Sequence, residues 1–245
     1  MRIGNRAVVF TGVALAVALL GAAFVPTAFA KRGDPRVYNL KRKAVGKRGK
    51  DWATEWWQWA LSIPFDHNPL LDETGDRVEV GQRGPVWFLC GVFNESGAAT
   101  RTATIPSGKA LFFPVLNAHW DNVGFEVPFT VDQLRANAAE NVADYDLETM
   151  KVFLDGSEIP FSALQRIATG PYTFHIPENS IFEVLSGGVY TKGIYAPGVT
   201  DGYWCMLRPL GVGEHTLRFT GSSTGPSSFT LDITYELTVV DFNRP

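Results

Sequence analysis

Four consecutive residues, His119-Trp120-Asp121-Asn122, hold the side chains in this chain best suited to recognition or proton transfer. An imidazole can take or give a proton near neutral pH. A carboxylate can orient that ring, an indole offers a stacking face, and an amide both donates and accepts hydrogen bonds. His119 and Asp121 flank Trp120, so an extended backbone would put them on one side. Glu126 follows in the same loop and supplies a second carboxyl. Two readings arise. In the first, His119, Trp120, Asp121 and Asn122 bind a sugar ring or polar polymer and no residue is catalytic. In the second, His119, Asp121 and Glu126 serve a glycan-acting hydrolase or lyase, whose two carboxyls must stand about 5–9.5 Å apart. The first is preferred. The chain carries no HExxH, phosphate loop, dinucleotide fingerprint or cysteine–histidine zinc spacing, and nothing in it calls for a cofactor. Asp72-x-Thr74-x-Asp76 begins like a calcium loop but has Arg77 where glycine is needed. His175 and His215 lie in strand-like runs and read as structural.

The loop follows Ala110–Leu116, ALFFPVL, which is apolar throughout and so predicts a strand covered on both faces. Its natural cover is the stretch Asp51–Pro64, DWATEWWQWALSIP, where four of seven tryptophans fall within eight residues. At about 100° per residue, Trp52, Trp56, Trp59 and Ile63 form one stripe, widened by Ala53, Trp57, Ala60 and Leu61. Thr54, Glu55, Gln58 and Ser62 form the polar back. The spacing predicts a helix over 51–63, with Asp51 as N-cap and Pro64 as stop. Trp57, about 100° from Trp56, is expected near the rim of the apolar arc.

Pro85–Phe93 reads as a buried strand, and 100–105 with 110–116 as a hairpin about Pro106–Lys109. Thr130 and Gln133 form a capping box, predicting a second amphipathic helix over 131–143. Asp155-Gly156 marks a hairpin turn. Tyr172–Ile176, Ile181–Leu185 and Tyr203–Leu207 read as short strands. Glu214–Thr220 and Phe229–Val240 alternate and close the domain as a hairpin, with Leu231, Ile233, Tyr235, Leu237 and Val239 on one face.

Arg2 and Arg6, the uncharged run Ala7–Val25 and the Ala28-Phe29-Ala30 site make residues 1–30 a secretory signal peptide, with cleavage expected after Ala30. The run is also long enough for a marginal membrane span, so an uncleaved anchor is the alternative. No other stretch could cross a bilayer as a helix. Export implies a periplasmic or extracellular location and excludes a nuclear or specific nucleic-acid role. Residues 31–50 hold nine lysines and arginines against one acid, Asp34, whereas the chain beyond is acidic. A charge run of this kind predicts a flexible, solvated arm, with anchoring to an anionic envelope polymer as the sharper alternative. Cys90 and Cys205 are the chain's two cysteines, so an oxidising compartment permits one disulfide. Two buried free thiols are the alternative.

WATEWWQWALSIP, GPVWFL, GKALFFPVLN and PLGVGEHTLRFTG together resemble a group of uncharacterised exported bacterial proteins, a likeness spanning most of residues 31–245. GEHTLRF also resembles the closing strand of immunoglobulin-like sandwiches. The resemblance implies an exported bacterial protein and leaves its activity open. The expected fold is therefore mostly β. It is an antiparallel sandwich, immunoglobulin-like or jelly-roll-like, spanning 51–245, with helices 51–63 and 131–143 packed on it.

Overall fold

The computed structural model describes residues 34–225 and 228–242. The expected signal segment 1–30 and its expected cleavage site lie outside the described residues. The chain is mostly β, with two sheets and a few helices. The first sheet runs β1 (Val86–Phe88), β3 (Ala110–Trp120), β8 (Gly193–Leu207), β6 (Gln165–Ala168), with β7 (Tyr172–Ile176) pairing farther along β8. The second runs β2 (Ala98–Pro106), β10 (Phe229–Val240), β9 (Gly213–Ser223), β4 (Tyr145–Leu154), β5 (Ser157–Ile159). Most pairs are antiparallel, but β1 with β3 and β2 with β10 are parallel.

Two apolar layers result. Between the sheets lie Phe113, Val115, Cys205 and Leu207 of the first, facing Val152, Phe219, Ile233 and Tyr235 of the second. On the far side of the first sheet, helix α1 (Gly49–Leu61) covers Phe112, Trp204, Met206 and Phe174. This gives ALFFPVL the cover on both faces that its composition requires. Helix α2 (Val131–Ala143) keeps the expected Thr130–Gln133 capping box and packs Leu134 and Ala138 against Val199 of β8. The Asp155-Gly156 turn and the β9–β10 hairpin form as read, and the five alternating residues of β10 are all buried.

Several expectations need correction. Helix α1 begins two residues early, so Asp51 sits in its first turn, where its carboxylate accepts the Arg48 N–H at 3.1 Å, instead of serving as N-cap. Trp57 is not at a rim: it is 5% exposed and donates its Nε1–H to Thr200 Oγ1 at 2.9 Å. The strands flanking Pro106–Lys109 form no hairpin. β2 alternates exposed and buried residues, as a strand with one wet face must, whereas β3 is covered on both faces. The corner therefore passes the chain from the second sheet to the first. Ile181–Leu185 is not a strand but helix α3, capped by Ser180, whose Oγ accepts the Glu183 N–H at 2.9 Å. The Ser180-x-x-Glu183 spacing is a capping box. Residues 34–50 are not a flexible arm. Val37, Leu40 and Ala44 are buried, Val37 bridges Leu207, and Arg36 reaches the Glu158 carbonyl at 2.9 Å. Lys41, Arg42, Lys43, Lys47, Arg48 and Lys50 stay exposed while their apolar neighbours point inward. Cys90 and Cys205 are free, buried thiols, as the alternative reading had it. Cys90 belongs to the helix-side core and Cys205 to the inter-sheet core, and burial pushes both thiols up.

Candidate functional site

β3 ends at Trp120, so the nominated residues straddle a strand end and the turn after it. His119 projects toward the helix layer, with its ring 4.9 Å from Trp57 and 5.1 Å from Phe174, centroid to centroid. Asp121 lies beneath it, 2.8 Å from Nε2. Because Asp121 accepts, the neutral ring carries its proton on Nε2, and Nδ1 then accepts the Tyr172 O–H at 2.7 Å. Asp121 also accepts the Tyr190 O–H at 2.8 Å and the Val123 N–H at 2.7 Å. The His119 and Asp121 side chains are 4% and 3% exposed. Burial, with the Asp121 charge added, holds the phenols of Tyr172 and Tyr190 far above the ordinary tyrosine value.

Tyr172, His119 and Asp121 have the connectivity of a nucleophile, base and orienting acid. Their setting opposes that chemistry. The phenol stays protonated and buried, and both imidazole nitrogens and both carboxylate oxygens are occupied within the protein. What the cluster does is fasten: it joins the end of β3 to β7 and to the segment after α3. Glu126, by contrast, is exposed.

Trp120 and Asn122 face elsewhere. Trp120 is half-buried and donates Nε1–H to Asn141 Oδ1 of α2 at 2.6 Å. Phe125 stacks on it at 6.3 Å and 20°, and Phe129 meets Phe125 edge-on at 5.0 Å. Asn122 closes the loop, donating to the Phe129 carbonyl at 3.0 Å and accepting the Phe129 N–H at 2.8 Å. Phe125 is 46% and Val127 77% exposed, so an aromatic shelf stands at the surface. The structure thus joins His119 to Asp121 and separates both from the shelf built on Trp120.

Sequence reasoning missed Tyr172 and Tyr190, which complete the cluster from 53 and 69 residues away. No local pattern marks them. It also missed a cleft of about 820 Å³ beside residues 114–117 of β3. Pro114 inside ALFFPVL was the available signal, because proline within a sheet marks an edge. Gly221-Ser222-Ser223-Thr224-Gly225 has the spacing of a nucleophile elbow, but Ser223 ends a strand, opposite Tyr145 and Phe229, and the next element among the described residues is strand β10, not a helix. Among the described residues, no group of three or more His, Cys, Asp or Glu could hold a metal ion. Asp72 instead accepts the Thr74, Gly75 and Arg77 N–H groups of its own turn. Among the described residues no helix is long and apolar enough to cross a membrane.

No known family model matches the chain, and no curated protein matches it. Among solved structures it is similar to PbICP-C, from a complex with falcipain-2, at 11% identity over 64% of this chain and 100% of that one, with a TM-score of 0.25. It is also similar to amebosin at 11% identity over 58% of this chain and 96% of that one, with a TM-score of 0.18. Neither likeness carries weight for fold or function.

Proposed function

We propose that this protein is an exported, non-catalytic binding module that holds a glycan, or a similar polar polymer of the cell envelope, on the Trp120–Phe125–Phe129 shelf. The observation that carries this reading is the contrast between burial and exposure around one loop. The groups able to do acid–base work are turned on one another under aromatic rings, while an exposed stacking surface stands beside them. A sugar ring stacks its C–H face on such a surface, and the neighbouring Asn141 amide can meet its hydroxyls. The test pairs pull-down on purified cell-wall and polysaccharide fractions with thermal melts. Phe125→Ala, at an exposed position, should cut retention at least about tenfold, equivalent to about 1.4 kcal/mol, with little change in melting temperature. Unchanged retention removes the shelf as the site.

The exposed cations Lys41, Arg42 and Lys43 favour a second reading, attachment to an anionic polymer. Reversing all three to glutamate is the right probe, because deleting the segment would also remove buried Val37, Leu40 and Ala44. Loss of retention in that variant alone would assign binding to the basic segment. Export itself is tested by intact mass: the secreted protein should begin at Lys31.

A further inference from the structure

The cleft beside β3 is independent of the aromatic shelf. β1 accompanies β3 only as far as Phe88 opposite Phe112, with one further bond from Leu89 N–H to the Phe112 carbonyl at 3.0 Å. From Phe113 on, among the described residues, β8 is the only strand paired with β3. The other edge is vacant for a definite reason. The buried Arg101 guanidinium takes the Cys90 carbonyl at 2.7 Å and the Gly91 carbonyl at 3.0 Å, and Phe93 N–H turns to the Leu70 carbonyl at 2.7 Å. The chain is thereby drawn off β3, and the cleft occupies the place where the strand would have continued.

We propose that this cleft binds an extended apolar peptide by strand addition, its main chain pairing with the open edge of β3 at Pro114–Asn117. Ala110 N–H and the Phe112 carbonyl both point to the β1 side. Strand alternation then puts the Pro114 carbonyl on the open edge, and, past the bulge at Val115, the Asn117 N–H and carbonyl. Pro114 leaves no orphan donor there. The Asn117 side chain lines the same cleft, and its Nδ2 is buried with no hydrogen-bond partner. A bare strand edge is ordinarily a hazard that proteins blunt or cover. This one is flanked by Trp57 and Leu185 on the helix side and by Phe229 and Leu231 on the side of the second sheet.

Those walls specify the occupant. An added strand would point alternate side chains at the two apolar walls, so consecutive residues must be apolar, as in any strand covered on both faces. Its main chain supplies acceptors and donors at strand spacing, which is what the edge and the Asn117 amide lack. A hydrocarbon chain would leave that amide unpaired, and a glycan would bury hydroxyls against Leu231 and Phe229; both are unfavourable.

The test is calorimetric titration of the full secreted chain with a short blocked peptide of alternating valine and isoleucine between flanking lysines. The control is the same peptide N-methylated on alternate amides, which keeps the apolar surface and removes donors. The unmodified peptide should bind and slow hydrogen exchange at the Asn117 N–H. The methylated peptide should bind at least about tenfold more weakly. Leu185→Ser and Phe229→Ser, at positions 58% and 45% exposed, should each weaken binding without lowering the melting temperature. Equal binding of both peptides, or binding of decanoate with no peptide binding, would make the cleft a hydrocarbon site and overturn the proposal. Failure of the unmodified peptide to bind at millimolar concentration overturns it as well.

Discussion

Two buried polar centres hold this molecule together, and they do so by different means. At the first, Arg101 is fully buried and its donors reach the carbonyls of Asp72 at 2.7 Å, Pro69 at 3.1 Å, Cys90 and Gly91, as well as the Tyr235 hydroxyl. At the second, His119, Asp121, Tyr172 and Tyr190 satisfy one another side chain to side chain. Arg101 grips backbone. Its charge is permanent, its partners are peptide dipoles, and it dictates the path of the segment crossing from β1 to β2. Apart from the Val123 N–H that Asp121 accepts, the histidine cluster grips side chains, which sequence change could replace in concert. The difference teaches that a buried group acts as scaffold or as fastening according to whether it holds main chain or side chain. The Arg101 centre also opens the cleft, so scaffold and candidate binding site share one cause.

The sharpest way to break this contrast is Arg101→Met. It leaves the Asp72 and Gly91 carbonyls without a partner among the described residues, at about 1–3 kcal/mol for each unsatisfied group, and takes one bond each from the Pro69 and Cys90 carbonyls and the Tyr235 hydroxyl, which keep others, so the loss should be roughly 5 kcal/mol or more. Chemical denaturation reads it, and a cost no greater than that of Asp121→Asn would erase the distinction. Next come Trp56→Ala and Trp57→Ala. Both rings are buried, so each should cost about 3–5 kcal/mol in the same denaturation experiment. A Trp57 value well below that of Trp56 would restore the rim position that helical periodicity suggests. Asp121→Asn should cost about 2 kcal/mol, because an amide cannot accept from His119, Tyr190 and Val123 as the carboxylate does. The loss should be shared by His119→Ala, and a double-mutant cycle checks that the two are coupled.

The smallest effect contrasts these buried centres with a surface pair, His215 and Asp155, joined at 2.9 Å. Burial disfavours the charged imidazole, but the Asp155 hydrogen bond and the nearby Gly211 carbonyl outweigh it, leaving the His215 value raised. Burial likewise opposes the Asp155 charge, and the hydrogen bonds from His215 and Thr216 outweigh it, leaving that value lowered. The raised histidine stabilises the fold fully below its ordinary value near 6.5 and loses that contribution as pH climbs through the raised value. The lowered aspartate contributes above 3.8 and loses it as pH falls. The pair should therefore help most between these limits, by only about 0.5 kcal/mol given its exposure. Thermal melts across pH should flatten on the alkaline side in His215→Gln, and an unchanged profile would show the pair to be idle.

The sequence by itself determined what depends on neighbours along the chain. Tryptophan spacing at the helical period marked α1, Thr130 and Gln133 marked the start of α2, and alternation from Phe229 marked β10. Each is local because side-chain direction follows backbone period, whatever the rest of the chain does. The unbroken apolar run Ala110–Leu116 even announced that two layers would cover it. Only the tertiary structure decided which strands share a sheet. Thr100–Ile105 and Ala110–Leu116 look like hairpin partners until the second sheet claims one and the helix layer covers the other. It also decided the depth of Trp57, set by Thr200 and His119 and not by helix angle, and the assembly of Tyr172 and Tyr190 on Asp121. The vacant edge of β3 arises at the greatest remove from local pattern. It exists because a guanidinium on β2 finds the carbonyls of residues 90 and 91, a competition among long-range hydrogen bonds that no local stretch of sequence encodes.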